Sequence, residues 1–68
     1  MKVKIKVPNE AAGMAVFSEL KNYGAADTDV LTSIIMEGKK FFIYLDVLIS
    51  KSALKAYLKT LPYGATVQ

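Results

Sequence analysis

The chain has 68 residues, is 53% hydrophobic, and carries a net charge of +3 from nine basic residues, all lysine, against six acids. A chain this short buries only about 60% of its unfolded surface. Without cysteine or histidine it has no disulfide to add stability, and neither a zinc nor a haem site is expected, which leaves tight packing or association.

Lys2 to Val7 alternates strictly, with Val3, Ile5 and Val7 on one side and Lys2, Lys4 and Lys6 on the other, the pattern of a half-buried strand. Pro8 stops it, because proline has no amide to extend a ladder. Asn9 is a helix N-cap, and Glu10 sits near the positive end of the helix dipole. The helix runs to about Tyr23 and carries Val16, Phe17 and Leu20 on one face. Gly13, one turn earlier on that face, reads as a close approach of helix to sheet. Gly24 is the left-handed residue that closes the helix.

Ala25 to Asp29 reads as a loop and Val30 to Glu37 as a strand. Gly38-Lys39 is a two-residue turn with glycine first, suited to type II′. That register pairs Glu37 with Lys40, Met36 with Phe41, Ile35 with Phe42, Ile34 with Ile43, Ser33 with Tyr44 and Thr32 with Leu45. The run from Lys40 to Ile49, KFFIYLDVLI, has two usable faces: Phe41, Ile43, Leu45 and Val47 on one, Phe42, Tyr44 and Asp46 on the other. A half-buried strand should have a polar second face, and here that face carries two aromatic rings. Ser50 or Ser52 caps a second helix with Leu54, Tyr57, Leu58 and Leu61 as its apolar stripe, and Pro62 ends it. Tyr63 to Gln68 completes the chain as a short edge strand.

The order β-α-β-β-α-β over residues 1–68, taken as one compact domain, implies an α+β ferredoxin-like sandwich: a four-stranded antiparallel sheet in order 4-1-3-2 with both helices on one face. The expected core is Val3, Ile5, Val7, Val16, Phe17, Leu20, Ile34, Met36, Phe41, Ile43, Leu45, Leu54, Leu58 and Leu61. The open face then holds Leu31, Ile35, Phe42 and Tyr44 beside Lys2, Lys4 and Lys6.

Chemistry is poorly supplied. There is no imidazole base, thiol or guanidinium, and the acids Glu10, Glu19, Asp27, Asp29, Glu37 and Asp46 are scattered. Asp27 and Asp29 form a D-x-D that lacks the ligand count and glycine of a calcium loop. No phosphate-binding or dinucleotide fingerprint occurs. No enzyme activity, cofactor or metal is therefore expected.

Three readings of the open face compete. Lysine stems can lie over the rings with their heads in water. Apolar and aromatic side chains rimmed by charge can instead meet a protein, either a larger partner or a second copy. Rings and lysines can also stack bases and meet phosphate. The face superficially looks like an RNA-recognition sheet, but KFFIYL lacks that motif's interleaved glycines, and the first strand offers no aromatic. Arginine, the usual phosphate and guanine fork, is absent.

The expectation is a small binding protein, a regulator or inhibitor acting by protein contact through Phe42, Tyr44, Ile35, Lys4 and Lys6, with homodimer formation compatible. A single-stranded nucleic-acid module on the same face is the alternative. Lys51, Lys55 and Lys59 recur every four residues and form a secondary basic face, solvated by default because like charges at that spacing repel. The start, MKVKIKVP, lacks the apolar stretch of a secretory signal. Asp46 breaks the longest apolar run, so a cytoplasmic protein without membrane contact is expected.

Overall fold

A computed structural model describes residues 1–27 and 33–68. The elements are β1 (Lys2–Val7), α1 (Glu10–Tyr23), β2 (Ser33–Glu37), β3 (Lys40–Asp46), α2 (Lys51–Lys59) and β4 (Thr66–Val67). They form two helices and an antiparallel sheet in the order β2-β3-β1-β4, the strand order expected of a ferredoxin-like arrangement. Val30, Leu31, the Thr32–Leu45 pair and Asp29 lie outside the described residues.

Local chemistry explains the boundaries. The Asn9 side chain accepts the Ala12 amide at 2.8 Å, satisfying a donor that the first turn of α1 cannot. Gly24 closes the helix at φ 84°, and its amide reaches back to the carbonyls of Leu20 and Lys21. At the hairpin, Gly38 has φ 63° and Lys39 is not positive, the sign pattern that type II′ requires. Of the two candidate caps for α2, Ser50 is used, accepting the Ala53 amide at 3.2 Å.

One apolar cluster lies between the sheet and both helices. Ile5, Val16, Leu20, Ile43 and Leu54 are fully buried in it, and Val3, Val7, Phe17, Leu45 and Leu58 nearly so. Tyr57 ties the helices together. Its ring stacks on Tyr23 at 4.2 Å between centroids, and its hydroxyl donates to the Glu19 carbonyl at 3.2 Å. Burial, then the neighbouring Glu19, pushes its phenol above the ordinary value.

The core departs from expectation at its rim. Met36 is 63% exposed. It lies on the edge strand near the turn, two pairs beyond the Ile34–Ile43 pair that Gly13 sits against. Phe41 and Ile34 are half-buried against the cluster for the same reason of position. Leu61 is also half-buried, because α2 ends at Lys59 and Thr60 breaks the stripe. Small residues take up the remaining space: Ala12, Ala25 and Ala65 are buried, as is Val47.

Gly13 is where helix and sheet touch. A Cβ there would lie 3.0 Å from Ile43 Cγ2 and 3.3 Å from Val7 Cγ2. Both methyls belong to buried β-branched residues with little freedom to move. Alanine in a helix interior normally gains about 1 kcal/mol over glycine, whereas overpacking a core costs roughly 1–3 kcal/mol. Gly13→Ala should therefore lower stability, by about 1 kcal/mol in urea denaturation. A stabilised variant would show that the helix can lift off the sheet at no cost.

Candidate functional site: the open sheet face

The register of the three longer strands builds this face. β1 pairs with β3 as Lys2↔Asp46, Lys4↔Tyr44 and Lys6↔Phe42, and β2 pairs with β3 as Ile35↔Phe42 and Glu37↔Lys40. Lys4 and Glu37 thus stand on strands flanking β3. They meet across it: Lys4 Nζ donates to Glu37 Oε2 at 3.1 Å and to Oε1 at 3.4 Å. The same ammonium lies 4.2 Å from the Phe42 ring centroid and 5.6 Å from that of Tyr44. The Tyr44 hydroxyl donates to Glu37 Oε1 at 3.1 Å.

This bridge accounts for the ring on the supposedly polar side of the strand. Phe42 is only 5% exposed, although it points away from the main core and belongs to no part of the cluster under the helices. The Lys4 ammonium lies over its ring, a placement that a long amphipathic side chain reaches by laying its stem along the sheet. Lysine cover, one of the three readings of this face, thus describes Phe42. Tyr44 is half-buried beside it, Lys6 is half-buried and Ile35 is 40% exposed. The expected contact residues are brought together on one face, but Phe42 lies beneath the surface of that face.

The sequence pattern alone does not assign Glu37 this role. The hairpin register made Lys40 its natural partner, and their backbones do pair, yet the carboxylate reaches Lys4 instead. The available signal was the order of strands: with β3 central, alternate residues of β1 and β2 flank it on one face. The ion pair is solvent-accessible, with the two side chains 33% and 49% exposed, so it orients groups more than it stabilises the fold.

Both charges respond to the arrangement. Hydrogen bonds from Lys4, then Tyr44, hold the Glu37 carboxyl below its ordinary value of 4.5. Tyr44, then Glu37, hold the Lys4 ammonium above 10.5.

Lys51, Lys55 and Lys59 are exposed along α2, on a separate element from the open-face cluster. Lys55 and Lys59 edge a shallow depression of about 190 Å³ floored by Leu58, Ala65 and Val67. Among the described residues no group of three potential ligands could hold a metal ion, and no helix is long and apolar enough to cross a membrane. No protein-family model, curated protein or solved structure matches this chain.

Two outcomes follow from the bridge. Lys4→Met keeps an apolar cover on Phe42, and Lys4→Ala removes it, so the alanine variant should unfold at lower urea than the methionine variant. Equal midpoints would mean that the stem contributes nothing. The second concerns pH. A carboxyl whose folded pKa is depressed stabilises above its unfolded value and loses that stabilisation as pH falls through the folded value. The ammonium does the reverse at the alkaline end. The stability difference between wild type and Glu37→Gln should be present near about pH 7 and absent near about pH 2. A difference unchanged between those pH values would rule out the ion pair as its source.

Proposed function

We propose that this chain is a small non-enzymatic binding protein, a regulator or inhibitor that acts by protein–protein contact through the open sheet face. The observation that carries this reading is the state of that face. Phe42 is covered, so it offers no ring for stacking a base, and Lys4 is already engaged by Glu37. What the face presents is Ile35, the half-buried Tyr44, Lys6 and Lys2, around an internally neutralised centre. Apolar side chains with a charged rim suit a protein partner. Single-stranded nucleic acid is bound by successive rings stacking successive bases, and with Phe42 covered Tyr44 is left as a single partly accessible ring between the strands of this face.

The reading makes Tyr44 and Ile35 the contact residues, Lys6 the rim, and Phe42 with Lys4 and Glu37 the support beneath them. No side chain of the face is asked to transfer a proton or hold an ion. A cytoplasmic setting belongs to the same proposal.

The test compares wild type with Tyr44→Ala in affinity capture from cell extract, alongside titration with a fluorescent single-stranded oligonucleotide. The reading expects a protein held by wild type in high salt and lost with Tyr44→Ala, because an apolar contact is weakly screened. It also expects no oligonucleotide affinity that collapses with salt. Oligonucleotide binding that falls steeply with salt and with Lys6→Ala would replace it by the nucleic-acid reading.

A further inference from the structure

We infer that the outer edge of β2 is a docking strand for a second copy of this chain, joining two sheets antiparallel across a two-fold axis at Ile35. β2 ends the strand order, and none of the described strands lies beyond it. The two-residue turn closes on Glu37 and Lys40, a pair that exchanges both backbone hydrogen bonds. Bonded and non-bonded pairs alternate along the ladder. Ile35 is therefore bonded inward to Phe42, and Ile34 and Met36 direct their amides and carbonyls outward.

Those outward groups are self-complementary. With Ile35 opposite Ile35 of the second copy, Ile34 of each chain faces Met36 of the other, and each such pair can exchange both hydrogen bonds. Shifting the strands by two residues toward the turn leaves Ile34 opposite Gly38, where the ladder has ended. The side chains agree with this register. Ile34 and Met36 share the helix side of the strand, and Met36 is 63% exposed there; Ile35 is 40% exposed on the other side. Ile35 and Met36 thus flank the free edge on opposite faces, where a strand paired along that edge sets its own side chains beside both.

Charge points the same way. β2 has no lysine or proline, the residues that usually blunt an edge. Its one charge, Glu37, is held by Lys4, so the copies meet without like charges directly opposed. The other edge of the sheet differs: β4 has only two residues and lies against a β1 that carries a lysine at every second position. The pairing rests on the geometry of the edge, although it engages Ile35, which the proposed contact face also uses.

The test uses single cysteines in a chain that has none. Residues facing each other in a non-bonded antiparallel pair have Cα atoms about 4.5 Å apart, within disulfide range. Ile35→Cys should form disulfide-linked dimers under diamide at least about tenfold faster than Lys51→Cys on α2, a ratio set by proximity. Adding Met36→Lys, or Met36→Pro at an amide not used inside the monomer, should remove that excess while far-UV dichroism stays unchanged. Ile35→Cys linking no faster than Lys51→Cys would overturn the inference. So would faster linking through Tyr44→Cys, which would mean that the copies meet across the open face.

Discussion

The structure depends on the pairing of β1 with β3. These strands are the centre of the sheet, and their register decides which side chains enter the core and which meet on the open face. A slip of one residue would turn Val3, Ile5 and Val7 outward and bring Lys2, Lys4 and Lys6 under the helices. Burying three ammonium groups without partners is prohibitive, so the alternation of a six-residue segment fixes the sheet's orientation. The same register sets Lys4 beside Tyr44, within reach of Glu37 on the far side of β3. The open-face cluster therefore follows from the packing of the core.

The two sides of β3 are covered by different means. On one, helices lie close to the sheet, at Gly13 close enough that a methyl group would crowd Ile43 and Val7. On the other, a lysine bridges from β1 to β2 over a single phenylalanine. Among the described residues no third layer covers the second face of the sheet. Using a long amphipathic side chain as a lid is an economical answer, and it leaves Ile35 and Met36, toward the sheet edge, outside its reach. Those two residues are the large apolar side chains of β2 that remain exposed. That asymmetry underlies both the proposed contact face and the proposed edge.

Much of this was legible in the sequence because local signals agreed. KVKIKV has one buried face at period two, Asn9 and Gly24 bracket a helix, and Gly38-Lys39 sets the hairpin register that the structure shows at every described pair. Less legible were properties decided by position in the finished sheet. Met36 has the right parity for the core but stands too near the turn to be covered. Phe42 has the parity of a surface residue but is buried, with Lys4 of the neighbouring strand lying over its ring. Glu37 beside Lys40 is an adequate local pair, and only the strand order reveals Lys4 as the competing partner. Parity tells which face a residue joins, and it does not tell how much of that face is covered. The function was least legible, because binding through a surface leaves no motif comparable to a ligand set or a catalytic base.

The central claim is that Lys4 lies over Phe42 and removes that ring from the surface. Nuclear magnetic resonance of the Lys4 side chain tests it directly, because protons held over an aromatic face experience its ring current. The account predicts Lys4 ε-methylene protons shifted upfield of those of Lys51, Lys55 and Lys59, with most of the shift lost in Phe42→Leu, because the Tyr44 ring lies farther away. A Lys4 signal coincident with those of the α2 lysines would mean that the lid is open in solution and Phe42 is exposed.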